Sequence, residues 1–259
     1  MRDIESPMNH THAFVKPPAF SYANALTSQA NPQPVDLALA RQQHFAYVTA
    51  LRELGLQVTE LAPDEDFPDA CFVQDVALAI DGQLIVTRPG AESRRGEPDA
   101  MMDALRSTGL PIQRIVAPAM LDGGDVMLTE DAAYVGLGAR TNTDAVAQLQ
   151  GMLRRKVIGV PLPAGLHLLS SCSYLGDGKV LVTRACADCP EMQGFEQFVI
   201  APDETYAANV LVLGRHALMP AGFPLTESIL RSAGLQPHLL DMSEFEKRDG
   251  GVTCLSLLW

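Results

Sequence analysis

The chain has 259 residues, is 47% hydrophobic and carries a formal net charge of −12. That composition suits one soluble globular domain over residues 1–259; the charge disfavours nucleic acid as a partner and modestly favours a cationic substrate. No apolar run reaches the roughly 18 residues that span a bilayer and no basic-then-apolar leader opens the chain, so no membrane partner is expected. Five cysteines without a disulfide framework point to a reducing, cytoplasmic setting.

In chain order, Met1–Pro7 reads as a polar extension and His12–Lys16 as a short apolar strand. A helical stretch then ends in Leu51-Arg52-Glu53-Leu54-Gly55-Leu56 and runs into the apolar Val58–Leu61. A hairpin follows over Phe72–Val86, turning at Asp81-Gly82. The same order returns with the helix end Leu105-Arg106-Ser107-Thr108-Gly109-Leu110, the strand Ile112–Ala117 and the hairpin Val126–Leu137 turning at Glu130-Asp131. A looser helix end at Leu153–Ile158 leads through Val157–Pro161 to the hairpin Ser173–Thr183, turning at Gly176-Asp177-Gly178. The fourth copy is degraded, with Cys189–Glu196 as its helix, Gln197–Ala201 as its strand and a hairpin over Val210–Met219 turning at Gly214-Arg215. The last copy has Leu230-Arg231-Ser232-Ala233-Gly234-Leu235, the strand His238–Leu240 and only Val252–Leu257 after it, which we pair with His12–Lys16. Thr143 and Thr226 are placed to open helices, and the glycines to cap helix ends.

Five helix–strand–hairpin units indicate an array or a closed ring, and short strands favour the ring because closure removes exposed sheet edges. The expected fold class is therefore α/β, as a five-bladed αβ-propeller. An open doubly wound sheet is the alternative that alternating helices and strands permit; two-residue turns, which join antiparallel strands, argue against it.

Cys254 follows Gly250-Gly251, where backbone can approach closely. As a thiolate it would be a nucleophile; as a buried Cys it would simply pack. His167, between a Pro-Gly turn and the third hairpin, is the histidine best placed to move protons for it, since the others lie in the N-terminal stretch or on a helix, a turn and a strand. Asp75 and Asp125 lead the first two hairpins at similar positions and would point to the propeller axis, with Asp69 and Asp122 nearby. A carboxylate at an apolar strand start needs a cationic or hydrogen-bonding partner, although Asp beside Gly also simply forms turns. Loop arginines after the first two hairpins, in Thr87–Glu97 and Gly138–Asn142, could clamp a carboxylate through two-pronged contacts or remain solvated. Cys186-Ala187-Asp188-Cys189 has zinc-like spacing, but no second pair completes a tetrahedral site, so no metal is expected. No phosphate loop or dinucleotide fingerprint is present, so no cofactor is expected.

The ordered set Pro-Asp-x-x-Phe-Val-x-Asp, Thr-Arg-Pro-Gly with Ser-Arg-Arg-Gly-Glu, Gly-Gly-Asp-Val, Gly-Leu-x-x-Arg-Thr-Asn, Leu-His-Leu, Met-Pro-Ala-Gly-Phe-Pro and Asp-Met-Ser-Glu-Phe-x-Lys-x-Asp-Gly-Gly-x-x-Cys-Leu-Ser-Leu resembles the dimethylarginine dimethylaminohydrolases, relatives of arginine deiminase and the amidinotransferases. The match runs from about Phe14 to Leu257. The resemblance implies a five-bladed αβ-propeller that hydrolyses Nω-methylated arginine to citrulline and an amine, with a small guanidino compound as partner, as a monomer or homodimer. It implies Cys254 as nucleophile, His167 as general acid and base and Asp122 as the acidic partner of His167 and guanidinium. Asp75 and Gln74 fall at guanidinium-binding positions, Asp69 near the α-amine, Arg94 and Arg140 on the α-carboxylate, and Leu26 in a mobile lid. Two positions depart from the pattern, since the family usually carries Glu where this chain has Asp122 and Gln74. Hydrolysis of another guanidino compound, arginine included, and a non-catalytic guanidino-binding propeller are the competing expectations.

Overall fold

The computed structural model describes residues 10–162 and 165–259; the expected Met1–Pro7 extension and most of the expected turn before His167 lie outside the described residues. β1 (His12–Val15) is followed by α1 (Leu37–Glu53) and β2 (Gln57–Glu60). β3 (Ala77–Ile80) and β4 (Gln83–Val86) are followed by α2 (Glu97–Ala100), α3 (Met102–Ser107) and β5 (Ile112–Arg114). β6 (Val126–Leu128) and β7 (Ala132–Leu137) lead to α4 (Thr143–Met152) and β8 (Lys156–Pro161). β9 (Cys172–Gly176) and β10 (Lys179–Val182) lead to α5 (Arg184–Ala187) and β11 (Glu196–Val199). β12 (Leu211–Leu213) and β13 (His216–Pro220) lead to α6 (Pro224–Ser232) and β14 (Gln236–Leu240), and α7 (Ser243–Glu246) and β15 (Leu257–Leu258) complete the order.

These strands form five separate three-stranded sheets rather than one open sheet. Each has one plan: the middle strand pairs antiparallel with its hairpin partner and parallel with the strand after the helix, as β4 does with β3 and β5. The fifth sheet joins the two ends of the chain, with β1 antiparallel to β15 (Ala13 opposite Leu258) and parallel to β2. That is the expected propeller closure, and the doubly wound alternative falls with it. Residues on or beside the five inner strands, including Leu78, Met127, Tyr174, Leu211 and Leu257, line a cavity on the axis.

The repeated helix ends work as their glycines suggest. Gly55 and Gly234 take positive φ (93° and 92°), which costs glycine nothing. The next residue then donates back across the turn, Leu56 N to Leu51 O at 3.1 Å and Leu235 N to Leu230 O at 3.0 Å, closing the helix end. α1 buries Ala40, Tyr47, Val48 and Leu51, each large side chain contributing about 1.5–3 kcal/mol.

Three local expectations differ. α6 opens at Pro224, and Thr226 instead donates its amide and hydroxyl to the buried Glu204 carboxylate. The first hairpin is shorter than expected, because Val73–Val76 forms a 3-10 turn ahead of β3, whereas the other three keep their bounds to within a residue. The fourth unit has α5 and a 3-10 turn at Pro190–Met192 in place of a helix over Cys189–Glu196. α4 does open at Thr143, behind Asn142 as its N-cap, which accepts from Ala145 N. A 3-10 turn precedes each inner strand: Val73–Val76, Gly123–Asp125, Leu168–Ser170, Pro202–Ala208 and Val252–Leu255. These five turns cluster at one mouth of the axis and carry or adjoin the candidate site residues.

Candidate active site

The five turns are stitched to one another by buried polar bonds. Asp75 Oδ1 in the first accepts from Gly124 N in the second at 2.9 Å. Asp125 Oδ1 in the second accepts from Leu168 N in the third, also at 2.9 Å. Asn209, just after the fourth, donates to Leu169 O and Thr253 Oγ1 and accepts from Thr253 N in the fifth. Thr253 Oγ1 donates to Gln74 Oε1 in the first at 2.9 Å, which closes the ring. Residues up to 179 positions apart in sequence are thereby fixed around one axis. Glycines permit the approach: a Cβ on Gly123 would lie 2.0 Å from Gln74 O, and one on Gly251 would lie 2.4 Å from Asn209 Oδ1.

On the outer side of this ring is a small cavity lined by Cys254, His167, Asp75, Asp69, Arg94, Arg140 and Leu26, among others. Seven of the nine site residues expected from sequence thus share one small space. Asp122 and Gln74 do not line it. Asp122 is fully buried behind the imidazole, with Oδ2 2.9 Å from His167 Nε2 and Oδ1 accepting from Gly90 N at 2.8 Å. Its short side chain therefore still reaches the histidine. Gln74 lines the axial cavity on the opposite side of the ring, where Thr253 holds its carbonyl, so its expected contact with a guanidinium is replaced by a structural one. The physical reason is local: Gln74 and Asp75 are consecutive in one turn, and the buried ion pair with Arg94 fixes Asp75 on the outer side.

The site is strongly charged. Burial alone would push the Asp75 carboxyl up, but His167 and Arg94 outweigh it and hold the group below the usual carboxylate range. Burial likewise pulls His167 down, and Asp75, the Asp122 hydrogen bond and Asp125 together raise it to about 9. Burial, and then Asp75, push the Cys254 thiol up to about 12. The site therefore pairs a neutral thiol with a protonated imidazole at neutral pH. Gly251 N donates to Cys254 Sγ at 3.3 Å, a contact that favours the thiolate once formed.

The arginines divide their work. Arg94 is buried and held on several sides: Nε and Nη2 grip Glu97 at 2.9 and 2.8 Å, and Nη1 donates to Asp75 Oδ2 at 2.6 Å. Most of its donors serve Asp75 and Glu97, which leaves little of Arg94 free for the expected clamp on an α-carboxylate. Arg140 Nη1 is buried without a hydrogen-bond partner among the described residues, 3.5 Å from Asp122 Oδ2. Arg248, not anticipated from the sequence, also lines the cavity. It donates to Ala23 O and Gln33 O, at the two ends of the segment that covers the site. Leu26 N donates to both oxygens of Asp69, and Ser28 binds Asp249 through its amide and hydroxyl, so the lid is fastened along its length. The run Lys247-Arg248-Asp249 before Gly250 was the available signal, since an N-terminal strap lying over the site needs such donors and acceptors.

Asp75, Asp122 and His167 offer ligand atoms within 4.8 Å of one another. A protonated imidazole is no ligand, and Asp122 already faces His167 Nε2, so this cluster suits proton handling better than a metal ion.

A family profile described as N,N dimethylarginine dimethylhydrolase, eukaryotic, matches residues 13–165. The N(G),N(G)-dimethylarginine dimethylaminohydrolase of Pseudomonas aeruginosa is 38% identical over 250 residues, covering 95% of this chain and 98% of the relative. The Streptomyces coelicolor protein of the same name is 39% identical over 248 residues, covering 95% of each. Among solved structures, a cysteine-to-serine variant of the P. aeruginosa enzyme complexed with citrulline superposes with a TM-score of 0.93 at 36% identity, over 97% of this chain and 100% of that one. The N-terminal domain of a cyanobacterial arginine dihydrolase, at 17% identity and a TM-score of 0.85, shares the fold. With a profile over more than half its length and relatives above 30% identity along nearly all of it, the chain belongs to the dimethylarginine dimethylaminohydrolase family.

Proposed function

We propose that this protein hydrolyses Nω-methylated arginine to citrulline and methylamine or dimethylamine through a covalent intermediate on Cys254. The observation that carries the reading is the placing of Cys254, His167 and Asp75 on one small cavity, with Asp122 on the far nitrogen of the imidazole. The guanidinium enters against Asp75, which keeps it charged. Its positive charge offsets the carboxylate that raises the thiol, so Cys254 ionises as the substrate binds. The thiolate attacks the guanidinium carbon, His167 gives its proton to the departing amine, and the same imidazole then deprotonates the water that cleaves the amidino-thioether. Arg140 turns from Asp122 to the α-carboxylate, with Arg94 beside it, and Asp69 faces the α-amine under Leu26.

The test is incubation with asymmetric dimethylarginine, monomethylarginine and arginine separately, following citrulline and released amine, with Cys254→Ser alongside. Citrulline from the methylated substrates, lost in the variant, is expected. Citrulline from arginine alone would move the substrate to the unmethylated guanidinium. No product from any, with Cys254 still modified by a cationic alkylator, would overturn the substrate assignment.

A further inference from the structure

Three of the five cysteines gather in one patch away from the catalytic cavity. Cys172 begins β9, Cys186 lies in α5, and Cys189 follows that helix. Cys172 is fully buried, its Sγ 3.5 Å from Met127 Sδ and 3.8 Å from Met192 Sδ. Cys186 is also fully buried, whereas Cys189 is partly exposed. Cys189 N donates to Cys186 O at 3.1 Å, closing a four-residue turn with the two cysteines at its ends. A turn of this kind keeps its first and last Cα within about 7 Å, and disulfides bridge Cα atoms about 4.4–6.8 Å apart. The neighbouring thiols, Cys172 first, hold the Cys186 thiol below the ordinary thiol range against burial, whereas burial and then Cys186 raise the Cys189 thiol. Among the described residues, Cys189 Sγ makes long contacts with carbonyl oxygens, 3.7 Å to Pro161 and 3.9 Å to Ala185, so little anchors it against rotation.

We propose that Cys186 and Cys189 form a reversible intramolecular disulfide by exchange with a small-molecule disulfide that enters at Cys189, while Cys254 stays reduced. The Cys189 thiolate attacks one sulfur of the small disulfide, whose S–S bond breaks and releases one thiolate. The Cys186 thiolate then attacks Cys189 Sγ, forms the protein disulfide and expels the second small thiolate. Two protein thiols are oxidised, the small disulfide is reduced to two thiols, and these take up the two protons the cysteines lost. Cys172 is sealed behind Cys186 and takes no part in the entry step. Cys254 is buried in its own cavity, whereas Cys189 is partly exposed, so a small disulfide reaches Cys189 first. The site is independent of the hydrolytic reading.

The full chain is incubated with oxidised glutathione at pH 8, remaining thiols are alkylated in denaturant, and intact mass and peptides are mapped. The expected result is loss of two hydrogens confined to the peptide holding Cys186 and Cys189, reversed by dithiothreitol, with Cys254 recovered as the alkylated thiol. Cys189→Ser should abolish protein disulfide formation, and Cys172→Ala should leave it in place. A persistent glutathione adduct on Cys189 without loss of hydrogens, a disulfide that survives Cys189→Ser, or no reaction in the unmodified chain would each overturn the proposal.

Discussion

Gly124 is where backbone and imidazole come closest, and one added methyl there tests how His167 is placed. An ideal Cβ on Gly124 would stand 2.8 Å from His167 Nδ1, 3.1 Å from its Cγ and 3.0 Å from Asp75 Oδ1. Unstrained carbon contacts lie at about 3.5–4.0 Å, so the imidazole must retreat by roughly 0.7 Å or the turn must open. Neither yields easily: Asp122 holds His167 Nε2 at 2.9 Å, and Gly124 N itself anchors Asp75. Overpacking of this kind costs about 1–3 kcal/mol of stability, and displacing a catalytic group by nearly an ångström costs up to ~10²-fold in rate. Gly124→Ala should therefore fold, melt at lower temperature and release citrulline with kcat reduced by about 10- to 100-fold and KM nearly unchanged. Gly151→Ala is the control, because its Cβ meets nothing within 4 Å and the residue lies in α4; it should gain up to about 1 kcal/mol and keep full kcat. Initial rates and thermal melts on the two variants decide the matter. If Gly124→Ala keeps kcat within about threefold, packing on the second turn is not what aims the imidazole, and the rate argument from misplacement fails.

Three further outcomes follow from the site. Asn209→Ala leaves Thr253 N and Leu169 O without their partner, and should cost about 2–6 kcal/mol in urea unfolding, at about 1–3 kcal/mol per orphaned group. Burial raises the Asp125 carboxyl to about 6, so its protonated form contributes stability that is full below about pH 4 and lost as pH rises through 6. Asp125→Asn should remove that segment of the pH dependence, shrinking the fall in urea midpoint between pH 4.5 and 7.5; an unchanged slope would show the carboxyl ionising normally. At pH 7.5 iodoacetamide should modify Cys254 slowly in the empty protein, whereas a cationic haloacetamidine should exceed it by at least tenfold more than it does with a free thiol in solution; equal ratios would mean the cation does not lower the thiol pKa.

What could be read from the sequence was what local chemistry encodes. The glycines at 55, 109 and 234 and the turn pairs such as Asp81-Gly82 announce the blades, because helix ends and two-residue turns are settled within a few residues. Cys254, His167 and Asp75 were legible through their motifs and do share a cavity. The ring of turns was not, because its bonds join residues 40 to 179 positions apart and depend on closure. Gln74 illustrates the limit: one step from Asp75 in the same turn, it faces the axial cavity, and only the fold decides which neighbour points which way. Arg94 was partly legible, since Glu97 three residues later is the ion-pair partner that occupies two of its nitrogens.

The neutral thiol changes what reactivity means in this protein. From sequence alone, a Cys254 inert to iodoacetamide would have spoken for a binding protein without catalysis. In the structure, the carboxylate best placed to receive a guanidinium, Asp75, is also the charge that, after burial, does most to keep Cys254 protonated. The same carboxylate is the first of the groups that hold His167 protonated against burial. One cation arriving at Asp75 therefore acts on both partners in the useful direction: it relieves the thiol of a nearby negative charge and presents the imidazolium with an amine to protonate. On the proposed mechanism, ionisation is coupled to substrate binding, and a Cys254 thiol that stays inert without substrate is what such a hydrolase would show. The partly exposed Cys189 turn, rather than the buried Cys254, is then the place where a passing disulfide would meet a thiol.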